Sequence, residues 1–325
     1  MELLFNWRKP SASDLAEGLK LHPAKMGAEV VGECRASQAW QRMFEMKHAC
    51  RGAVIEARWE DKVEIVGFGF GAFVKKSFTD AEREHPAPGL NSRIVESVAC
   101  GSSVIATPEE VRDANTSGDL HQVIMDTSWK QNRLSAAQVD DVRILLGRAY
   151  YELFSGYRFS LILLECVDGV DLWHIEGHLR MRIADRFEAW RKAHPGSAWN
   201  EDRALVEVTS DTMRKDPHSI AAEIFHHGPP PQIGFTLGEQ ELLEVALQGV
   251  DDAEASKALF VTVPAIKRRW AGIFARASDA RPDVCPPDAG STRGVQKRQR
   301  VLAYVRQHPQ ELRPFNFGGG QKKRK

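Results

Sequence analysis

Hydrophobic residues recur with two different periods in residues 1–226. Ala53–Trp59 and Val63–Val74 are rich in apolar residues, partly at alternate positions, and three residues separate them, which predicts a β-hairpin. Val139–Phe154 has apolar residues three or four positions apart, which predicts an amphipathic helix with Ser135 as its N-cap. Because both periods occur in one part of the chain, we expect that part to form an α+β or α/β domain.

The remaining elements of this part are shorter. Two apolar runs predict buried strands at Tyr157–Val167 and Ala204–Thr209. Three amphipathic stretches predict helices at Ser13–Leu19, Ala36–Met46 and Ile183–Lys192. The pattern predicts these elements but does not determine their order in a sheet.

The second strand of the predicted hairpin is rich in glycine. In Val66–Phe73 glycine alternates with phenylalanine, and neither a Lys-Ser/Thr pair nor a helix follows. A phosphate-binding loop needs that context. We therefore predict a strand whose glycines permit close packing or the approach of a ligand, and not a nucleotide loop.

A cluster of prolines separates this part from the rest of the chain. His226–Pro231 contains three consecutive prolines, which lack an amide donor and push the preceding residues out of the helical region. We expect a sensory or dimerisation domain at 1–226 and a linker at 227–234. A helical domain at 235–278 follows, and 279–325 is expected to hold a linker, a basic helix at Val295–Gln307 and a disordered tail.

Two short helices are predicted directly after the linker. Thr236 is followed three residues later by Glu239, which is the spacing of a capping box, and Gly249 is placed to end this first helix. Asp251 or Asp252 can cap a second helix.

A third helix, Val263–Phe274, carries the basic residues of this region. Thr262 is its predicted N-cap, and Pro264 lies in the first turn, where a missing amide costs little. Ile266 and Trp270 have the spacing of a buried face, so at least two of the basic residues Lys267, Arg268 and Arg269 are expected to point outward. Two short helices joined by a tight turn, the second with an outward basic face, predict a helix-turn-helix.

The segment Phe235–Arg276 resembles the LuxR-type helix-turn-helix, whose pattern runs L-T-x-R-E-x-E-V-L, A-x-G, E-I-A-x-x-L, V-S and T-V-K-x-H-x-x-x-I. The matching residues are Thr236, Glu239, Glu241, Leu243, Gly249, Glu254, Leu259, Thr262, Ile266, Lys267 and Ile273. The resemblance implies that the third helix reads the major groove of DNA. The implied DNA contacts are Lys257, Thr262, Ala265, Lys267, Arg268 and Arg269.

The segment also departs from that pattern. Gly238 stands where the family has arginine, Ser256 replaces a small alanine, and Arg269 replaces a frequent histidine. Asp251 and Asp252 place negative charge near the second helix, which weakens phosphate contact there. The alternative interpretation of the segment is a three-helix cap with a solvated basic face.

Composition and charge are consistent with a DNA-binding module at one end of the chain. The 325 residues are 42% hydrophobic and 27% charged, and no run of apolar residues is long enough to span a membrane. Lys and Arg balance Asp and Glu at 44 each, yet residues 291–325 contain ten basic residues and one acid, Glu311. The five cysteines are scattered, which favours free thiols, and the first residues do not form a secretory signal, so we expect a cytoplasmic protein.

The ligand of the N-terminal domain is not indicated by a strong motif. Ile144–Ala149, interpreted as the opening of a helix and followed by the strand Phe159–Cys166, is similar to the acyl-CoA-binding helix and next strand of the GNAT acetyltransferases, although Ile144 stands where that family has Gln or Arg. This resemblance implies a degenerate, sensory or active acyl-CoA site. The alternative is an amphipathic helix with small packing residues.

Other sensor classes were weighed on single features. Paired acids of a receiver domain are missing from residues 1–30, and no GxSxG nucleophile motif occurs. An aromatic pocket for an acyl-homoserine lactone, and a metal site built on His174 and His178, are both conceivable. The aromatic pocket would use Trp59, Asp61, Trp129, Tyr150, Tyr151 and Trp173.

The sequence thus predicts a LuxR-type transcriptional regulator that is not an enzyme and that binds double-stranded DNA as a homodimer. We expect control by a small-molecule effector or a partner, no membrane association, and neither a cofactor nor a metal. The alternative function is a GNAT-like, acyl-CoA-dependent acyltransferase with an appended DNA-binding domain.

Overall fold

The structure is a computed structural model. It describes residues 4–21, 27–59, 62–130, 132–167, 181–197, 199, 203–215, 220–225, 228–286 and 294–317. The chain divides into two compact units. The first unit comprises residues 1–154 and 158–226, and the second comprises residues 155–157 and 227–325.

The first unit contains a mixed sheet of seven strands in its described part, in the order β1-β2-β3-β4-β5-β7-β6. The strands are β1 (Leu4–Arg8), β2 (Cys50–Trp59), β3 (Lys62–Phe73), β4 (Leu120–Trp129), β5 (Phe159–Val167), β6 (Arg182–Asp185) and β7 (Arg203–Thr209). Strands β4 and β5 are parallel, and all other neighbours are antiparallel. The predicted hairpin is confirmed as β2 and β3, and both predicted buried strands are confirmed as β5 and β7.

Helices cover this sheet. They are α1 (Asp14–Lys20), α2 (Ala28–Val31), α3 (Glu33–Glu45), α4 (Lys76–Glu84), α5 (Leu90–Ala99), α6 (Pro108–Ser117), α7 (Ala136–Phe154), α8 (Glu188–Ala193), α9 (Ser210–Lys215) and α10 (Ile220–Phe225). The helices predicted near 13–19, 36–46 and 139–154 are confirmed as α1, α3 and α7. Across the described ranges, no helix combines the length and the apolar character that a bilayer span requires.

Helix α7 packs directly on the glycines of β3. A Cβ atom placed on Gly67 would lie 2.9 Å from the Val142 side chain, and one on Gly69 would lie 3.3 Å from the Leu146 side chain. Real Cβ atoms need more room than this, so larger residues in β3 would force the helix away. Close packing was therefore the correct interpretation of this strand.

Strands β4 and β5 pair over only part of their length. Their register runs from Leu120 opposite Phe159 to Ile124 opposite Leu164, although both strands continue. Beyond that point the first residues of α5 contact both strands. Asn91 Nδ2 donates to Met125 O of β4, while the amides of Gly89 and Leu90 donate to the Glu165 carboxylate of β5 over 2.7–3.0 Å.

Two predictions for the first unit are wrong. The helix predicted at Ile183–Lys192 is β6 followed by α8, because Ile183 pairs with Val206 of β7 and the left-handed residue Phe187 (φ 54°) separates the two elements. Tertiary pairing thus overrides a helical period. The GNAT-like segment Ile144–Ala149 lies inside α7 and does not open a helix, so its amides are used by helical hydrogen bonds and are not free to bind a pyrophosphate.

The described part of the second unit contains helices and no strand. These are α11 (Leu237–Ala246), α12 (Asp252–Ala258), α13 (Val263–Ala280), α14 (Gly294–Gln307) and a 3₁₀ turn, Pro309–Leu312. They share one hydrophobic core, to which α11, α13 and α14 all contribute. Cys285, Val301 and Val305 are buried in this core, so the region after residue 278 packs with the three predicted helices and is not a separate appendage.

Hydrogen bonds of buried polar groups connect the residues that follow the prolines with residues near the end of the described chain. The Glu311 carboxylate, fully buried, accepts hydrogen bonds from the amides of Gln232 and Ile233 (2.8 and 3.1 Å) and from the Tyr304 hydroxyl (3.0 Å). Two residues further on, Arg313 donates to Glu244 over 2.6 Å. The chain after the prolines is thereby fixed to the helices that follow it.

Candidate nucleic-acid interface

Helix α11 begins as its sequence predicts. The Thr236 amide donates to the Glu239 carboxylate over 2.7 Å, and the Glu239 amide donates to the Thr236 hydroxyl over 3.4 Å, which is a complete capping box. The same carboxylate pairs with Arg276 of α13 at 3.1 Å. A Cβ atom on Gly272 would lie 2.5 Å from Glu239 Oε1, so a side chain at this position would displace the Glu239 carboxylate.

Helix α12 is capped by Asp251, one of the two residues predicted for this role. Its carboxylate accepts from the amides of Ala253 and Glu254 at 2.8 Å each. The four residues Leu259–Thr262 then connect α12 to α13. This short turn is the connection that a helix-turn-helix requires.

Helix α13 also begins at the predicted residue. Thr262 is its N-cap and accepts from the Ala265 amide at 3.4 Å, and Pro264 lies in the first turn. Its buried residues are Ile266, Trp270, Ile273 and Ala277. The helix runs six residues beyond the predicted end at Phe274, because the next breaker in the sequence is Pro282 and because Ala277 adds a further core contact.

The predicted DNA contacts differ in their accessibility. Lys257, Thr262, Lys267 and Arg268 are exposed, and Ala265 is half-buried at the start of α13. Neither Lys267 nor Arg268 has an ion-pair partner within the described part of the chain. The outward face of α13 consists of these two cations flanked by small residues, namely Pro264, Ala271 and Ala275.

Arg269 does not belong to this outward face. Its Nη1 donates to the Gly238 carbonyl of α11 over 3.0 Å, and it lies 3.5 Å from the Glu241 carboxylate. Its side chain is 27% exposed. At least two of the three consecutive basic residues therefore point outward, as predicted, namely Lys267 and Arg268. Arg269, which was also among the implied DNA contacts, joins α13 to α11.

Helix α14 contacts both α12 and α13 through Arg298, a role that was not predicted from its sequence. The Arg298 guanidinium lies 4.5 Å from the centre of the Trp270 ring and donates to Asp252 over 2.8 Å. It also donates to Val250 O over 3.2 Å. The contact could not be predicted from sequence, because nothing in the sequence distinguishes Arg298 from the other basic residues of the C-terminal region.

The acids near α12 are used within the protein. Asp251 caps the helix, and Asp252 pairs with Arg298. The Asp251 carboxylate thus accepts backbone hydrogen bonds, and the Asp252 carboxylate faces a guanidinium group. Both interactions reduce the repulsion that is expected between this end of α12 and a phosphate backbone.

Only part of the alternative sites predicted from sequence lies in the described residues, where Trp59 and Trp129 pack against one hydrophobic cluster of the first unit. Tyr150 donates to Gln122 inside the first unit and Tyr151 is exposed, whereas Trp59 lines a cavity of about 340 Å³ with Lys62, Glu64 and Arg133. Asp61, Trp173, His174 and His178 lie outside the described residues. Within the described ranges, no group of three or more His, Cys, Asp or Glu side chains could hold a metal ion.

Comparison with known proteins gives no assignment. No protein-family model matches the chain, and no curated protein matches it. The function has to be inferred from the residues and their arrangement.

Proposed function

We propose that this chain is a DNA-binding transcriptional regulator of the LuxR type and not an enzyme. Helix α13 enters the major groove, and α12 lies across the sugar–phosphate backbone. The first unit supplies control, through a ligand or partner whose identity the chain does not indicate.

The observation that carries this proposal is the outward face of α13. Lys267 and Arg268 are exposed and have no ion-pair partner among the described residues, while the opposite face of the helix is fixed by Ile266, Trp270 and Ile273. Two exposed cations on one helix face can bind guanine O6 and N7 or neutralise phosphates. The flanking small residues allow the helix backbone to approach the bases closely.

A homodimer is part of the proposal. One helix-turn-helix contacts a short half-site, and specific affinity requires two such contacts separated by about one helical turn of DNA. Light scattering of the full chain with and without DNA tests this directly. A complex of two chains per duplex is expected.

The proposal is tested by selecting duplexes from a random pool with the full chain and measuring affinity for the enriched sequence. The double variant Lys267→Ala/Arg268→Ala should lose specific binding by a factor of about 30 or more, on the order of 1–3 kcal/mol for each residue. The matched control is Arg35→Ala/Lys47→Ala, which removes the same charge from exposed positions of the first unit. Equal affinity of both double variants would refute the proposal.

A second candidate function, an acyl-CoA-dependent acyltransferase, is favoured by one observation. The parallel strands β4 and β5 are joined through α7 and stop pairing after Ile124 and Leu164. Ligands of sheets with parallel strands bind beyond the carboxyl ends of such strands. Backbone groups of the two strands beyond the paired residues would be the ones to bond an extended ligand.

Contacts in the same region disfavour the acyltransferase. Residues 89–91 already bond to Met125 and Glu165, where such a ligand would insert. Calorimetric titration of the full chain with acetyl-CoA, together with an assay for released thiol, separates the candidates. We expect neither binding nor turnover, and saturable binding with turnover would favour the acyltransferase.

A further inference from the structure

The turn between α12 and α13 contains an exposed aromatic residue. Phe260 is 90% exposed, more than any other large hydrophobic residue in the described part of the chain. Leaving such a ring in water forgoes the free energy that burial would provide. Single exposed apolar residues are common, so exposure alone does not indicate a function.

The backbone of Phe260 adds a second observation. Its φ angle is +52°, in the left-handed region that disfavours residues with a Cβ atom. The Val261 amide donates to Ser256 O (3.1 Å) and the Phe260 amide donates to Lys257 O (3.3 Å), which is a Schellman motif with Phe260 at C′. Glycine normally occupies this position because it adopts positive φ without strain.

The preceding helix, α11, is followed by a glycine in the left-handed conformation. After α11 the left-handed residue is Gly249, with φ +84°. After α12 the chain places a phenylalanine in that conformation and exposes its ring. Both choices cost stability, and no contact within the described residues compensates for them.

We propose that Phe260 is a DNA-contact residue that packs on the deoxyribose of the backbone strand beside α13. This inference rests on the proposed function. The turn joins a helix that crosses the backbone to a helix in the groove, so it lies at the groove edge, where the sugars are. There the ring buries apolar surface against sugar carbons, and it positions α13 without reading a base.

The charges around Phe260 favour a nucleic acid as the occupant. The nearest charged residues along the chain are Lys257 before it and Lys267 after it, and both are exposed. A protein partner that docked on this ring would have to carry acids to match them. A phosphate backbone supplies negative charge on both sides of each sugar.

Three variants of the full chain distinguish the effect of the Phe260 ring from the effect of its strained φ angle. Phe260→Ala removes the ring but keeps a Cβ atom, Phe260→Gly removes both, and Phe260→Tyr keeps the ring. We expect the first two to weaken binding of the selected duplex by about tenfold, the scale of a partly buried aromatic side chain. Unselected duplex should be weakened by a similar factor, and Tyr should retain the affinity.

Two further measurements test whether Phe260 acts through an apolar contact with DNA. The dependence of affinity on salt should stay unchanged in all three variants, because no charge is removed. Hydrogen exchange at the amides of α12 and α13 should become slower in Phe260→Gly alone, since glycine relieves the strained φ angle. Greater stability with weaker DNA binding is the combination expected of a residue retained for contact.

The outcomes are distinguishable from failure of the proposed function. If Phe260→Gly binds both duplexes as tightly as the unaltered chain while Lys267→Ala/Arg268→Ala does not, DNA binding stands and the Phe260 contact is overturned. Loss of self-association in Phe260→Gly, without loss of DNA affinity per subunit, would assign the ring to a protein interface and also overturn it. Ile144→Ala, which removes an apolar side chain 56% exposed in the first unit, is the control and should change neither.

Discussion

The guanidinium group of Arg269 lies against Gly238. Its Nη1 donates to the Gly238 carbonyl over 3.0 Å, and a Cβ atom on Gly238 would lie 3.1 Å from its Cζ. These are two of the positions at which the sequence departs from the LuxR-type pattern, and they are in contact. The absence of a side chain at Gly238 leaves the space that Arg269 occupies.

Arg269→Ala is expected to affect folding more than DNA binding. The variant loses a hydrogen bond and an exposed ion pair between α13 and α11, which together are worth about 1 kcal/mol. The salt dependence of DNA affinity should remain unchanged, whereas Lys267→Ala should lower its slope by up to about 0.9. Salt titrations of both variants provide the check, and a lower slope in Arg269→Ala would show that Arg269 leaves Gly238 to contact phosphate.

Arg298→Ala should destabilise the second unit. The change removes the contact with the Trp270 ring and the hydrogen bonds to Asp252 and Val250, a loss of about 2 kcal/mol. Chemical unfolding measures it. Arg300→Ala removes an exposed cation from the same helix and is the control, with an expected effect within about 0.5 kcal/mol. Equal effects would contradict the role given to Arg298.

Glu165→Ala should destabilise the first unit strongly. The Glu165 carboxylate is buried, accepts from the Gly89 and Leu90 amides, and lies 3.1 Å from Arg203, so its removal leaves a buried cation and two amides without this partner. The expected loss in the free energy of unfolding is about 3–5 kcal/mol. Glu96→Ala, at an exposed position of α5, should cost little, and a Glu165→Ala protein of normal stability would disprove the role assigned to this network.

The raised pKa of Tyr304 predicts that the stability of the second unit falls at alkaline pH. Burial, together with the neighbouring Glu311 carboxylate, raises the pKa of Tyr304 from 10.0 to about 12. Because the folded state then holds this proton more tightly, its contribution is complete below pH 10 and is lost as the pH rises towards about 12. Tyr304→Phe should lack this part of the decline, and absorbance titration of the phenolates should show one late-titrating tyrosine fewer in the variant than in the unaltered chain, because burial also raises the pKa of Tyr150 in both proteins.

The starts of α11, α12 and α13 were predictable from sequence because their signals are local. Thr236 with Glu239, Asp251 as a cap, and Thr262 with Pro264 each depend on residues within one turn. The glycines of β3 were interpreted correctly for a similar reason, since a residue without a Cβ atom implies a close neighbour even when that neighbour is unknown.

Contacts between distant residues could not be predicted in this way. Arg298 reaches Asp252 across 46 positions, and Arg269 reaches Gly238 across 31. In sequence both arginines are simply exposed cations of a basic region. Similarly, Ile183 lies in a helical period and becomes part of a strand only because β7 is beside it. Tertiary packing decided these positions.

The most direct test of the central claim is amide hydrogen exchange of the full chain with and without its selected duplex. If α13 reads the major groove, DNA should protect the amides from Thr262 to Ala271 and those of the preceding turn. The duplex should leave the exchange of α5 and α7 unchanged at saturating concentration. Protection confined to α14 or to the first unit, with none in α13, would contradict the account.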